Sequence, residues 1–227
     1  RAFAYHPDDI ASIIIEPIQG EGGDNHFRAE FFAELRRLAD RHEALLVFDE
    51  VQTGVGLTGK FWCFEHFQGV EPDAVAFGKK LQICGFIAGK RFDEVDHNVF
   101  VESSRINSTW GGNLVDMVRG HRYLEIIEEE NLVENARLRG ETLLKGLRDL
   151  ESRYAGVTQA RARGLMAAFD LPDADVRGSV LATARDNGLL ALACGTRSVR
   201  FRPTLNVTDA EITRGIEILD RAIQKTL

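Results

Sequence analysis

The amino-acid sequence predicts an α/β fold, in which an open and mainly parallel sheet is followed by a smaller α+β unit. Two apolar runs, Ala44–Phe48 and Asp73–Phe77, each end in polar residues, as strands do at the ligand-binding edge of such a sheet. The amphipathic segment Phe27–His42 precedes the first run, and strand, helix and strand over this length form a parallel crossover unit. From about residue 119 the pattern changes to helices mixed with short strands.

The composition is that of a soluble globular protein, and it excludes several classes of function. The 227 residues are 44% hydrophobic and 28% charged, and the net charge of −7 argues against nucleic acid as a partner. No apolar run is long enough to span a bilayer, so no membrane partner is expected. The three cysteines form neither a paired framework nor a metal-binding spacing, which predicts a reducing, cytoplasmic location and no bound metal. Because the sequence begins at Arg1 and enters an apolar run almost at once, we expect it to be a piece of a longer protein.

The first predicted strand is Ile10–Ile18, an apolar and β-branched run typical of a central strand in a parallel sheet. Pro17 and the glycines that follow it end the strand and permit tight turns close to a ligand. Glu21 lies in this turn. Its local sequence leaves two interpretations open, a solvated loop acid or a carboxylate that faces the same cleft as Lys79.

The glycine-rich segment Thr53–Gly59 does not predict a nucleotide site, because it lacks the lysine and spacing of a P-loop and does not follow the dinucleotide fingerprint. Residues 60–67 predict a short aromatic helix. His66 has no second ligand at helical spacing and is therefore not expected to bind a metal.

A polar, glycine-bearing stretch, Ser103–Asn113, follows two further short strands that are predicted over residues 83–88 and 98–101. It leads into a helix that begins at about Leu114. Hydroxyl groups and free N–H groups before a helix suit an anion such as phosphate, but an N-capping loop has the same composition, and both interpretations stay open.

The C-terminal part predicts helices and strands in alternation. Helical periodicity runs from Leu114 to about Arg153 with a break at Glu128–Asn131. Strands are predicted over 164–171, 189–194 and 198–202, and helices over 173–187 and 209–226, the last with a capping box of Thr208 and Glu211. We therefore divide the chain into residues 1–118, part of a large domain, and residues 119–227, linking helices with a small α+β domain.

Two charged residues at predicted strand ends indicate the chemistry. Lys79 follows one strand and Gly78, and Asp49 follows the neighbouring strand. Pyridoxal phosphate (PLP) needs such a pair, because a lysine forms its Schiff base and an aspartate keeps its pyridinium nitrogen protonated. Neither residue is specific alone, because a lysine after a strand is usually a solvated loop residue and an aspartate there is often a helix cap. The residues themselves do not decide between Lys79 and Lys80.

Four ordered motifs resemble the class III aminotransferases of PLP fold type I: Ile15–Gly23, Phe48–Gly54, Phe77–Lys79 and Ser108–Asn113. The resemblance covers essentially the whole chain. It implies the C-terminal part of a large, mainly parallel-sheet PLP-binding domain together with a small C-terminal α+β domain, in an enzyme whose missing N-terminal part adds cofactor and substrate contacts. Within the class, Gly78–Gly85 and Asn107–Met117 are most similar to members that act on the ε-amino group of L-lysine.

The resemblance also implies roles for single residues at the cofactor. Lys79 would be the Schiff-base lysine and Asp49 the partner of the pyridine nitrogen. Gln52 would lie near the ring hydroxyl and the substrate. Thr109 would reach the cofactor phosphate bound to the other subunit, which implies a homodimer with its site at the subunit interface.

On the substrate side, the resemblance implies that Glu21 masks an arginine that takes the α-carboxylate by a two-pronged contact. Arg200 is the first candidate for that arginine and Arg202 the second. The implied activity transfers the ε-amino group of L-lysine to 2-oxoglutarate and gives 2-aminoadipate semialdehyde and L-glutamate. Two alternatives stay open: another class III ω-aminotransferase, acting on ornithine or 4-aminobutyrate, and an inactive truncated fragment.

Overall fold

The structure, a computed structural model, describes residues 1–106 and 108–227, and the chain divides into two compact units. The first unit comprises residues 1–17, 27–54 and 63–126, and the second comprises residues 18–26, 55–62 and 127–227. The domain boundary predicted near residue 118 stays a prediction, because compactness alone does not test which segments fold independently.

Helices and strands alternate along the described residues, with short 3-10 helices at Cys63–His66, Lys79–Leu81 and Lys90–Glu94. The α-helices in chain order are α1 (Ala2–Tyr5), α2 (Ala29–Arg41), α3 (Leu114–Glu129), α4 (Leu132–Arg153), α5 (Ala174–Asp186) and α6 (Asp209–Thr226). The strands are β1 (Ser12–Ile15), β2 (Ile18–Gln19), β3 (Asn25–His26), β4 (Leu45–Asp49), β5 (Ala74–Phe77), β6 (Gly85–Ala88), β7 (Thr158–Arg163), β8 (Met166–Asp170), β9 (Leu192–Cys194) and β10 (Ser198–Phe201).

The first unit is built on a four-stranded sheet with the order β1-β4-β5-β6. Strand β4 pairs in parallel with β1 and with β5, and β6 returns antiparallel to β5. Asp49 lies directly opposite Ala76, so the carboxyl ends of β4 and β5 are side by side. The predicted parallel crossover is therefore confirmed, and it brings the two strand ends that carry Asp49 and Lys79 to one edge.

Aromatic packing and one carboxylate fix β4 and β5 in the first unit. Helix α2 buries Phe32 completely, and the ring of Phe32 packs 5.4 Å from that of Phe48 in β4. At the start of β5, the Asp73 carboxylate accepts hydrogen bonds from the Leu46 backbone at 2.7 Å and from Arg36 of α2 at 2.9 Å. The helix and both strands are thus joined through the interior of the unit.

Two predictions for the first unit are wrong in part or in full. The strand predicted over Ile10–Ile18 is limited to Ser12–Ile15, and it lies at an edge of the described sheet, where Ile14 is 69% exposed. Residues 98–101 form a turn, because the Asn98 side chain accepts from the Phe100 backbone at 2.9 Å and its carbonyl accepts from the Val101 N–H at 3.1 Å. A local side-chain hydrogen bond competes here with strand pairing.

The second unit contains an antiparallel sheet with the order β7-β8-β10-β9, together with helices α4, α5 and α6. Strand β8 is nearly all buried, and the core around it contains side chains that are fully enclosed: Leu147, Leu150, Leu165, Met166, Phe169 and Leu219. The capping box at the start of α6 is confirmed, since Thr208 accepts from the Glu211 N–H and Glu211 from the Thr208 N–H. The hairpin of β2 and β3 also belongs to this unit.

The glycine-rich segment around Gly59 has a packing role in the second unit. A Cβ atom at Gly164 would overlap the backbone of Thr58, and one at Gly140 of α4 would overlap the backbone of Gly164. Leu165 donates its N–H to the Leu57 carbonyl at 2.9 Å and ties the two segments together. Glycine is required here for close approach of backbones.

Candidate active site

Lys79 and Lys80 lie just past the end of β5, and the structure distinguishes them. Lys79 is exposed, and its ammonium group has no partner in the described part of the chain. Its φ of 47° lies in the left-handed region that non-glycine residues rarely adopt, a form of backbone strain that clusters at functional sites. The ammonium of Lys80 instead donates to the Gln52 carbonyl at 2.5 Å. Lys79 is therefore the amine that is available for chemistry.

Asp49 is the last residue of β4 and is half-buried at the same edge of the sheet. Its Oδ1 accepts from the Val51 N–H at 3.0 Å, while Oδ2 accepts no hydrogen bond from the described residues. Its register partner Ala76 precedes Lys79 by three residues in the neighbouring strand. One free carboxylate oxygen and one free amine thus lie at adjacent strand ends, which is the donor set that PLP requires at its ring nitrogen and its aldehyde.

Among the described residues, Gln52 and Thr109 of the first unit have no side-chain hydrogen bonds that tie them to the other candidate site residues. Gln52 is half-buried, and its side-chain amide has no hydrogen bond to described residues. Thr109 lies in an exposed turn before α3, and no hydrogen bond joins it to Asp49, Gln52 or Lys79 in the described chain. Asn107, the first residue of the motif that contains Thr109, lies outside the described residues.

Helix α3 begins with a side-chain cap. Asn113 accepts from the Val115 N–H at 2.8 Å, so the predicted capping of this helix is present. The exposed hydroxyls of Ser108 and Thr109 lie in the turn just before it. The two interpretations left open by the sequence, an N-capping loop and an anion-binding loop, are therefore compatible.

Glu50, next to Asp49, is a buried acid that the sequence did not single out. It is 1% exposed, and its carboxylate accepts from the N–H groups of Cys63 and Phe64 at 2.6 and 2.9 Å and from the Thr53 hydroxyl at 3.1 Å. Burial raises the pKa of Glu50 above its ordinary value, although these donors act in the opposite direction. Glu50 secures the loop that leaves the strand end, and nothing in its local sequence signalled that role.

In the second unit, Glu21 and Arg200 form an ion pair. Glu21 lies in the turn between β2 and β3, and its Oε2 is 2.7 Å from Nη2 of Arg200 on β10. The side chain of Arg200 is 13% exposed and that of Glu21 is 76% exposed. Atoms Nε and Nη1 of Arg200 are buried and have no partner in the described chain. A desolvated arginine with two free donors, paired with an exposed carboxylate, is suited to take a carboxylate ligand.

Arg202, the second candidate for the substrate arginine, pairs with Asp24 instead. Asp24 is fully buried, and its other contact is with His26 at 3.3 Å. Burial raises the pKa of Asp24, but the contacts with His26 and Arg202 outweigh burial, so the pKa lies below its ordinary value. Sequence reasoning missed Asp24, because a Gly-Gly-Asp-Asn run indicates only a turn.

Two further features are absent from the described residues. No α-helix there is both long and apolar enough to cross a bilayer, and no cluster of three or more histidine, cysteine or acidic side chains is arranged to hold a metal ion.

A known protein family matches almost the whole chain. The profile of the family described as aminotransferase class III matches residues 2–223. The chain therefore belongs to the class III aminotransferases, and the predicted fold is confirmed as the fold of that family.

Three relatives show how the chain lies within the family. It is 54% identical to the L-lysine-epsilon aminotransferase of Amycolatopsis lactamdurans over 221 residues, which cover 96% of this chain and 49% of that protein. The solved lysine aminotransferase from Mycobacterium tuberculosis in the internal aldimine form is 50% identical, with a TM-score of 0.96 over 100% of this chain and 52% of that one. The human mitochondrial 4-aminobutyrate aminotransferase is 40% identical over 88% of this chain and 39% of that protein. The chain thus spans about half the length of the curated relatives it matches.

Proposed function

We propose that the protein is a PLP-dependent aminotransferase that moves the ε-amino group of L-lysine to 2-oxoglutarate, giving 2-aminoadipate semialdehyde and L-glutamate. Membership of the class III family supports the reaction type. The observation that carries the substrate proposal is the ion pair of Glu21 and Arg200. The relatives named for lysine, at 50% identity and above, support that donor over 4-aminobutyrate, whose human enzyme is 40% identical.

The residues of the first unit fit the cofactor. When bound, PLP would supply an electron sink that acidifies the C–H bond next to the substrate amine. Lys79 would hold the cofactor covalently and, once displaced by the substrate amine, would take the proton from that carbon, since its amine is exposed and unpartnered in the described chain. Asp49 would keep the ring nitrogen protonated through its free oxygen.

Gln52 and Thr109 complete the proposed cofactor site. The half-buried amide of Gln52 would bind near the ring hydroxyl and the substrate. Thr109 lies in an exposed turn before a helix N-terminus, where a hydroxyl and N–H groups are accessible to a phosphate from outside the unit. This exposure supports a homodimer in which Thr109 serves the cofactor of the other subunit.

The pair of Glu21 and Arg200, here called the carboxylate gate, would allow one site to accept two unlike substrates in turn. L-Lysine reacts at its far amino end, which brings no carboxylate to the ring, whereas 2-oxoglutarate reacts next to a carboxylate. Arg200 left unpaired and desolvated beside an apolar chain would be costly, and Glu21 removes that cost in the lysine half-reaction. In the second half-reaction the diacid would displace Glu21 and take Arg200 by two N–H groups.

Two further proposals concern the amino donor and the cellular location. The 40% identity to a 4-aminobutyrate aminotransferase favours a different ω-amino donor as the second candidate function, with ornithine as a further donor to test. The free state of the described cysteines Cys63, Cys84 and Cys194 supports a reducing, cytoplasmic location.

Borohydride reduction after addition of PLP, followed by peptide mapping, tests the cofactor site. We expect the pyridoxyl group on Lys79, abolished by Lys79→Ala and retained in the matched control Lys80→Ala. Recovery on Lys80 would contradict the assignment, and recovery on neither lysine would support an inactive fragment. A panel of L-lysine, L-ornithine and 4-aminobutyrate with the full-length protein then decides the donor.

A further inference from the structure

Two ion pairs lie side by side between the β2–β3 hairpin and strand β10. Glu21 pairs with Arg200, and Asp24 pairs with Arg202, so that acids three residues apart meet arginines two residues apart. The two carboxylates differ sharply in exposure. The side chain of Glu21 is 76% exposed and that of Asp24 is 0% exposed. The first pair is therefore open to exchange with a ligand, and the second is closed to it.

The backbone from Glu21 to Asp24 is fixed by three donors. Gly195 donates its N–H to the Glu21 carbonyl at 2.8 Å. Arg161 of β7 donates to the Gly23 carbonyl at 2.7 Å through Nη2 and to the Asp24 carbonyl at 2.8 Å through Nε. These contacts hold the turn against the sheet of the same unit, and they leave the Glu21 side chain as its movable part.

Arg161 is itself held in place by buried polar groups. Its Nη2 lies 2.9 Å from the Asp170 carboxylate and 3.1 Å from the Ser198 hydroxyl, and that hydroxyl donates to Asp170 at 2.7 Å. Asp170 ends β8 and Ser198 begins β10, so the hairpin is connected to three strands of one sheet. A network connected in this way resists displacement of any one member.

Asp24 contacts this network through its backbone carbonyl, which accepts from Arg161, while its side chain pairs with Arg202. Its φ of 54° is a left-handed conformation that aspartate tolerates, and it turns the chain back after Gly23. Its buried carboxylate must be paired, because an isolated charge in the interior is very costly, and Arg202 and His26 supply the pairing. Asp24 thus links the turn that carries Glu21 to the strand that carries Arg200.

We propose that Asp24 is a positioning residue of the carboxylate gate: its buried pair with Arg202 fixes the hairpin on β10, so that the gate opens by rotation of the Glu21 side chain over a stationary backbone. Loss of Asp24 leaves Glu21 intact but no longer held over Arg200. The lysine half-reaction, which needs Arg200 covered, then suffers more than the 2-oxoglutarate half-reaction. This inference rests on the proposed function.

A double-mutant cycle in the full-length protein loaded with PLP tests the proposal. The measured quantity is the ratio of the second-order rate constants of the lysine and 2-oxoglutarate half-reactions in single turnovers. We expect Asp24→Asn alone to lower this ratio by at least about fivefold. In a protein that already carries Glu21→Ala, Asp24→Asn should change the ratio by less than a further factor of about two, because the effects of residues that act as one unit are not additive. Glutarate does not react, so its binding gives a readout that is independent of turnover. Its affinity should increase in Asp24→Asn and in Glu21→Ala, and the increase in the double variant should be smaller than the sum of the two.

Two further variants separate positioning from loss of folding. Arg161→Lys keeps the charge beside Asp170 but cannot reproduce both contacts with the hairpin backbone, and it should lower the ratio in the same direction. Asp220→Asn is the matched control, since it breaks a carboxylate–arginine pair with Arg153 elsewhere in the same unit. It should leave the ratio unchanged.

Three results would overturn the inference, and they differ in what they leave standing. If Glu21→Ala shifts the ratio but Asp24→Asn and Arg161→Lys do not, the gate stands and Asp24 does not position it. If the effect of Asp24→Asn persists in full with Glu21→Ala, Asp24 acts by neutralising Arg202 instead. If Glu21→Ala itself leaves the ratio unchanged, the gate in the proposed function fails as well.

Discussion

Replacement of Arg200 by alanine is the perturbation whose magnitude follows most directly from the structure. The guanidinium is 13% exposed and holds two unpartnered buried nitrogens in the described chain, so on the proposed function it would meet the diacid in a largely desolvated place. Removing one partner of such a charge pair costs about 2–5 kcal/mol. In the proposed reaction the diacid would first have to displace Glu21, whose exposed pair is worth only about 0–1 kcal/mol.

The difference between these two quantities sets the expected loss for 2-oxoglutarate. We expect Arg200→Ala to weaken its half-reaction by about 1–5 kcal/mol, which is roughly 5-fold to 5,000-fold in the second-order rate constant. Arg200→Lys should lose less, because an ammonium keeps the charge but not the two-pronged geometry. The lysine half-reaction, in which Arg200 is covered, should change by less than about threefold.

Single-turnover kinetics, followed by cofactor absorbance in the full-length protein, measures both half-reactions. Arg197→Ala is the matched control, because Arg197 pairs with Asp170 at 3.5 Å in the same unit and is 47% exposed. It should leave both half-reactions nearly unchanged. A loss below about threefold for 2-oxoglutarate in Arg200→Ala would refute the reasoning, and an equal loss in both half-reactions would indicate a structural role for Arg200.

Three further predictions concern the cofactor, packing and pH. Asp49→Asn should retain PLP, measured by absorbance, but lose turnover by orders of magnitude, since the ring nitrogen is no longer held as a cation. Gly140→Ala should lower the free energy of unfolding in denaturant by about 1–3 kcal/mol, because its Cβ would overlap the Gly164 backbone. The pKa of Asp24 is lowered in the fold, so its carboxylate stabilises the folded protein at any pH above the pKa of the unfolded chain. This stabilisation should be lost as the pH falls below about 4. The difference in the free energy of unfolding between wild type and Asp24→Asn should therefore narrow at low pH.

Each of these predictions has a control or a contradicting result. Near-normal turnover of Asp49→Asn would count against its role at the ring nitrogen. Gly178→Ala, in helix α5 with open space around it, should be neutral or stabilising by up to about 1 kcal/mol, and equal losses at Gly140 and Gly178 would exclude a packing cause. A gap between wild type and Asp24→Asn that stays constant from pH 6 to pH 3 would show that folding does not lower the pKa of Asp24.

Periodicity and capping signals predicted most of the fold. The crossover of β4, α2 and β5 and the helix that begins after Thr208 are confirmed, because local patterns specify them. Strand β7 was missed, because the apolar positions of Thr158–Arg163 are two alanines, which are depleted in strands. It forms because β8, which is almost completely buried, pairs with it along an edge. Tertiary context overrides local propensity in such cases.

The candidate site also contains residues that the sequence predicted and residues that it did not. Asp49 and Lys79 were identified from strand ends, and the structure adds a reason to prefer Lys79 that no sequence pattern contains, the contact of Lys80 with the Gln52 carbonyl. Asp24 gave no signal, because its partner Arg202 is 178 residues further along the chain. A pairing over that separation leaves no trace in local spacing.

The division of the chain between the two units has a consequence for how the protein is made. The chain passes from one unit to the other after Pro17, His26, Gly54, Trp62 and Ile126. Glu21 and Asp24 of the hairpin therefore leave the ribosome long before Arg200 and Arg202 are synthesised, and the second unit acquires these two charge pairs only after both arginines have been made. Contacts of such high sequence separation slow folding. We expect the acids of the hairpin to stay solvated and unpaired until the strand that carries Arg200 has been synthesised. A chain that stops before residue 200 would therefore lack the contacts that hold the hairpin in the second unit.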